Sequence, residues 1–178
     1  MRDRHRGVSL AELLIVCAVL AVAATIALPS AQPVAEFRAD TAAGEVVQAL
    51  RFARQEAMRS GAYRMLGCNL AQNQLSVYLL DSKGATVLLT DPMDKMDYTV
   101  VLSQVPAGSN VALTSCSFKF ADNSSATVLG FDASGNPVRG TGTGPAPAQA
   151  LTSGTIVLGS GNVTRTIAVD ITGRVSTS

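Results

Sequence analysis

The spacing of apolar residues divides the chain into three stretches. From Val8 to Leu28 apolar side chains run almost unbroken for 21 residues, with Glu12 as the single charge. A helix rises about 1.5 Å per residue, so this stretch would reach roughly 30 Å, the thickness of a bilayer core. From 29 to 61 the pattern turns amphipathic. Val46, Leu50, Ala53 and Ala57 fall on one helical stripe, and Glu45, Arg51, Arg54, Gln55 and Arg59 lie largely off it. Pro29 and Pro33 mark the junction, where loss of a backbone donor favours a bend. Arg59 in the last turn and Gly61 just after it suit a helix end.

Beyond Ala62 the period shortens, and β-rich runs alternate with turn residues. The spacing predicts strands at Tyr63–Cys68, Leu75–Leu80, Ala85–Leu89, Tyr98–Leu102, Ser115–Phe120, Thr127–Phe131, Thr155–Leu158 and Thr164–Ile171. Asp81-Ser82-Lys83-Gly84 reads as the turn of a hairpin. In the last run Ile167, Val169 and Ile171 alternate with polar neighbours and predict one apolar face. Gly140 to Ala150, GTGTGPAPAQA, is low in complexity and reads as a surface loop. One long helix followed by about eight strands predicts an α+β fold, with antiparallel sheets packed on the helix.

Charge changes this picture at one end only. The net charge is +1, but Arg2, Arg4 and Arg6 stand against Asp3 in the first seven residues; the rest holds 11 basic and 12 acidic side chains. Basic residues ahead of an apolar span place the N-terminus in the cytoplasm and the following domain outside. A secretory signal peptide would have a shorter apolar core and a small-residue cleavage site at its end. A plain anchor would explain the length but not Glu12, because a charge inside a membrane span is costly and points to function.

Candidate chemistry is sparse. His5 is the single histidine and lies in the first seven residues, so nucleophile–base pairs that rely on histidine are excluded from the domain. Cys17 sits inside the apolar stretch and reads as a small buried apolar residue. Cys68 and Cys116 lack the spacing of a zinc site. They are either two buried thiols or a strand-to-strand disulfide, and the disulfide is the expectation for a domain outside the membrane. Asp91, Asp94 and Asp97 lie three apart, but the EF-hand pattern is absent, and a solvated charged loop is expected rather than a calcium site.

Gly7 followed by Val8-Ser9-Leu10-Ala11-Glu12 resembles the class III leader of type IV pilins and type II secretion pseudopilins, with Val8 where the family usually has Phe. The resemblance implies cleavage after Gly7 by a prepilin peptidase and N-methylation of Val8. Glu12 would then be the fifth residue of the mature chain, able to neutralise the new terminal amine within or between subunits. LRFARQEAMRSG is similar to the ARSEAIRRG helix end of GspH/FimT-type minor pilins. Val128 to Gly135 and Arg165 to Val175 resemble that family's inner strand-and-turn and its closing strand with G-R-V turn.

Together these resemblances imply a leader at 1–7, a transmembrane assembly helix at 8–28, its amphipathic continuation at 29–61 and a periplasmic GspH/FimT-like domain at 62–178. They imply a structural subunit, not an enzyme, with no cofactor and no metal. Its partners would be other pilin or pseudopilin subunits, the prepilin peptidase, the inner membrane and the assembly platform. The alternative is a minor pilin that receives DNA. The family's DNA-binding members carry a G-R-x-R element, whereas here Gly173-Arg174 is followed by Val175-Ser176. One arginine on a nearly neutral domain is poorly equipped to neutralise phosphates, so DNA is not the favoured partner.

Overall fold

The computed structural model describes residues 9–27, 32–104, 110–140 and 148–178. It comprises two compact units, Met1–Ala31 and Gln32–Ser178, each described by itself. In the first, α1 runs over Leu10–Ala27. In the second, α2 covers Gln32–Ser60 and is followed, among the described residues, by eleven strands. Pro33 is the second residue of α2, where its missing N–H has no helical partner to lose. The bend expected at Pro29 falls outside the described residues. At the other end Gly61 takes a φ of 65°, and the Ala62 N–H donates to the Ala57 carbonyl, closing the helix as the sequence predicts.

Eleven strands follow: β1 (Arg64–Asn69), β2 (Gln74–Leu80), β3 (Thr86–Leu88), β4 (Thr99–Val101), β5 (Val111–Phe120), β6 (Ser125–Ala126), β7 (Val128–Phe131), β8 (Pro137–Arg139), β9 (Gln149–Ser160), β10 (Val163–Val169) and β11 (Val175–Thr177). All pairings are antiparallel. One sheet runs β8-β7-β1-β2, with β3 and β4 both pairing β2. The other runs β6-β5-β9-β10-β11. The long strand β9 belongs to both: Ala150 pairs with Val138 of β8, β5 pairs it from Leu151 onward, and from Gly154 it lies between β5 and β10.

Three departures from the expected strands have physical causes. β9 begins at Gln149, inside the stretch expected as a loop, and is three times the length of the expected Thr155–Leu158. Its first glycine looks like a breaker, yet Gly154 pairs with Phe118, whose ring would lie 2.7 Å from any Cβ there. β5 begins at Val111, ahead of the expected Ser115. A bulge between Leu113 and Ser115 changes which residues face inward, from Val111 and Leu113 to Cys116, Phe118 and Phe120. β10 ends at Val169, and Ile171 is 66% exposed in a turn instead of extending the apolar face.

The core lies between α2 and the sheets. Val46, Leu50, Ala53 and Ala57, the stripe legible in the sequence, are completely buried together with Ala39, Ala42 and Ala49. They meet Leu66, Leu75, Phe118, Phe131, Ile156, Leu158 and Ile167 from both sheets. Two further links tie the sheets together. Asn73, in the turn after β1, donates from Nδ2 to the Val111 carbonyl at 2.7 Å and accepts the Leu113 N–H at 2.6 Å. Cys68 of β1 and Cys116 of β5 have their Sγ atoms 2.10 Å apart, a covalent bridge across 48 residues of sequence.

A crosslink of that span restricts the unfolded chain, which in the loop-entropy account stabilises the fold by about 2–4 kcal/mol. The double variant Cys68→Ala, Cys116→Ala is expected to lose stability in that range by urea unfolding. An unchanged midpoint and slope would show that the bridge contributes nothing.

Candidate functional site

The N-terminal end of α1 is built by local hydrogen bonding. Ser9 precedes the helix, and its Oγ accepts the Glu12 N–H at 3.2 Å. The Ser9 carbonyl accepts the N–H groups of Glu12 and Leu13 at 3.0 and 3.2 Å. Ser9 is therefore the N-cap and Glu12 stands three residues on, the S-x-x-E spacing of a capping box. An acidic side chain in the first turn also opposes the positive end of the helix dipole favourably. Gly7 and Val8 lie outside the described residues.

Leu10, Leu13, Leu14, Ile15, Val16, Val19 and Leu20 are all exposed, so α1 presents apolar side chains on every described side. No helix among the described residues is long and apolar enough to cross a membrane. The expected span, 8–28, extends beyond them at both ends. Cys17, expected as a buried residue, is exposed on α1, so whatever covers it is not its own unit.

In the domain, three turns repeat one sequence, D-x-x-G-x: Asp81 to Ala85, Asp132 to Asn136 and Asp170 to Arg174. In each, the aspartate Oδ1 accepts the N–H groups two and four residues on. The glycines take φ values of 80°, 80° and 76°, which a side chain would strain. The first of these is the hairpin turn expected from the sequence and the other two are the turns implied by the family resemblance, whereas no expectation covered the role of Arg54. From α2, Arg54 donates Nε to the Gly135 carbonyl at 3.0 Å and Nη1 to the Gly173 carbonyl at 3.4 Å, joining the second and third turns to the helix. The one available signal was an arginine two residues before a glutamate in a helix end shared with the family. A second tie runs from Arg165 of β10 to Asp40 of α2, whose carboxylate receives Nε and Nη2.

The remaining candidates separate cleanly. Asp91 and Asp94 use their carboxylates on the N–H groups of Met93 and Met96, and no set of three metal-ligating side chains gathers among the described residues. Arg174 is exposed beside Thr152, Thr155 and Ser176, and Ser176 stands where a G-R-x-R element has its second arginine. Ionisation follows the turn geometry. The Thr172 hydroxyl and the Arg174 N–H hold the Asp170 carboxyl below its ordinary range. Burial pushes Asp132 upward, but bonds from Asn136, Ser134 and Gly135 outweigh it, and its pKa too is lowered.

An apolar helix that begins at a capped Ser9 and Glu12, followed by a two-sheet domain on a second helix, defines a pilin-like subunit. Residues 42–173 match the family of the Type II transport protein GspH, and residues 2–28 match the prokaryotic N-terminal methylation motif. The chain belongs to the GspH family and is a minor pilin or pseudopilin subunit, which acts alongside other pilin subunits. No curated protein sequence matches it significantly. Two structures of the minor pseudopilin EpsH from the Type 2 Secretion System of Vibrio cholerae share its fold. They superpose with TM-scores of 0.54 and 0.53 at 15% identity, covering 79% of this chain and 96% and 92% of theirs. The type IV minor pilin FimU of Pseudomonas aeruginosa gives 0.48 at 16% identity over 84% of this chain and 92% of its own, too low a score to carry an argument.

A carboxylate whose pKa is lower in the folded than in the unfolded chain stabilises the fold while ionised. That stabilisation is complete above the unfolded pKa and is lost as the pH falls through the folded one. The thermal midpoint of the protein is expected to fall on acidification below the ordinary aspartate range, and Asp170→Asn should flatten part of that fall. An identical pH profile for wild type and Asp170→Asn would show that the turn carboxylate is not linked to folding.

Proposed function

We propose that residues 8–28 anchor the chain in the bacterial inner membrane with the domain in the periplasm. A prepilin peptidase cuts after Gly7, Val8 is methylated, and the assembly platform adds the subunit to a pseudopilus or pilus through its N-terminal helix. The observation that carries this reading is the capped start of α1. Ser9 caps the helix two residues past the cleavage point, which sets Glu12 in the first turn, four positions along the chain from Val8. Pairing the Glu12 carboxylate with the new amine at Val8, in a neighbouring or the same subunit, would convert a costly intramembrane carboxylate into a recognition element. The methylation motif spanning residues 2–28 supports the processing step. The subunit works as a structural element and not as an enzyme, and no histidine follows residue 5 to serve as a general base.

Gly7→Ala is expected to block processing, so that membranes accumulate chain that retains residues 1–7 by intact-mass measurement. Mature protein starting at Val8 in that variant would refute the cleavage site. Glu12→Ala should be processed normally yet be missing from sheared filaments.

DNA reception is expected to fail in a gel-shift of the full chain with double-stranded DNA at physiological salt, because Arg174 stands without a second arginine in its turn. A shift that Arg174→Ala abolishes would install the receptor reading instead.

A further inference from the structure

Among the described residues, Arg64 and Ser160 are the buried polar ones, and of these Arg64 alone carries a charge. Its position follows from strand register. β1 sets Arg64 opposite Phe131 of β7, two residues before Leu66, so its side chain shares the inward face with that core leucine. A buried guanidinium is costly unless its donors are paired. Arg64 Nη1 donates to the Tyr63 carbonyl at 2.9 Å. Nε is buried and has no hydrogen-bond partner. Nη2 stands 3.8 Å from Glu56 Oε1, too far for a hydrogen bond.

Glu56 does not close that gap, because Arg59 holds both of its oxygens. Arg59 Nε and Nη2 donate to Oε2 and Oε1, each at 2.7 Å, and this bidentate pair chiefly holds the Glu56 carboxyl below its ordinary range. The Arg59 side chain is 75% exposed. An exposed arginine thus occupies the carboxylate that a buried one lacks. What remains on Arg64 is its Nε–Nη2 edge, an edge that a planar carboxylate bridges with two parallel bonds. Arg64 also lines a cavity of about 780 Å³ between the stop of α2 and the β2–β3 turn, a size suited to a small ligand. Tyr63, Met65, Leu79 and Leu80 give it apolar walls. At its rim Asp81 spends Oδ1 on the Lys83 and Ala85 N–H groups. Glu56 and Asp81 together repel a dianion, whereas one guanidinium edge suits a single negative charge.

We propose that this cavity binds an organic monocarboxylate with an apolar body, its two oxygens on the Nε–Nη2 edge of Arg64 and its body against Tyr63, Leu79 and Leu80. Binding turns that edge into the cavity and gives the buried charge the counter-ion that Arg59 withholds. A free small carboxylic acid and the terminal residue of a polypeptide share this chemistry. The site draws only on residues of the second unit, and its test is independent of the assembly reading.

Thermal unfolding of the full-length, detergent-solubilised chain tests this. Sodium hexanoate at about 10 mM should raise the Tm by about 2–4 °C. The neutral hexanamide and inorganic phosphate at the same concentration should leave it unchanged. A tripeptide ending in leucine, as acid and as amide, distinguishes the sources. A shift from the acid alone that exceeds hexanoate's assigns the site to polypeptide ends, and a smaller one assigns it to free acids. Arg64→Met should abolish the shift. Leu80→Glu changes a side chain that is 37% exposed at the rim, and should raise the apparent Kd by roughly tenfold while the protein stays folded. Arg59→Gln gives a readout that a merely structural Arg64 would not move. It releases Glu56 to Arg64 and should weaken hexanoate binding by roughly tenfold, although Arg59 does not line the cavity. A Tm unmoved by both acids overturns the proposal. So does an equal shift from hexanamide or phosphate, or wild-type affinity in Leu80→Glu, Arg64→Met or Arg59→Gln.

Discussion

How closely α2 lies against the sheets is set by its alanines, and most of the domain depends on that approach. Ala39, Ala42, Ala49, Ala53 and Ala57 are fully buried, and Val46 and Leu50 are the larger side chains of the helix that are fully buried with them. A helix with a small-residue face comes close enough to touch strands of both sheets at once. Larger side chains would hold it off and open voids along its length, because the surrounding strands are already paired and cannot close in. The sheets in turn are not free to move apart, being joined by β9, by the Asn73 side chain and by the Cys68–Cys116 bridge.

That proximity lets a single side chain do what several would otherwise be needed for. Arg54 stands on the flank of the buried stripe and reaches the carbonyls of two turn glycines, 81 and 119 residues further along the chain. Each turn holds its own N–H groups with an aspartate carboxylate, and its closing backbone bonds use the Asp132, Asn136, Asp170 and Arg174 carbonyls. Arg165 and Asp40 repeat the logic near the other end of α2, again with a guanidinium bridging helix and sheet. The family resemblance at the helix end and in the closing strand thus corresponds to one physical assembly, in which distant motifs meet as donor and acceptor.

The two sides of the same helix differ in composition and exposure. One side supplies the alanine face, and the other carries Phe37 and an exposed Gly44 that the domain itself leaves unused. In α1 the division vanishes, because apolar side chains cover every described side. Ser9 and Glu12 are its polar exceptions at the start, joined through the backbone of one turn. The domain is therefore stabilised by one face of α2, while the opposite face stays exposed.

Local chemistry was enough to read the elements whose cause is local. The unbroken apolar run, the Val46–Ala57 stripe, the Gly61 stop, the Asp81–Gly84 turn and the leader-like start at Gly7 all depend on spacing and side-chain type within a few residues. They carried the fold class and the family. Strand parity was not readable, because bulges at Leu113–Ser115 and Lys119–Phe120 switch the inward positions midway, and a period-two pattern cannot survive a one-residue insertion. Nor was β9, whose Gly154 weakens the strand locally and is justified only by Phe118 on the neighbouring strand. The partners of Arg54 lay furthest beyond reach. An arginine's neighbours in sequence say where it stands on a helix, and only the folding of two remote turns onto that helix decides what its donors meet.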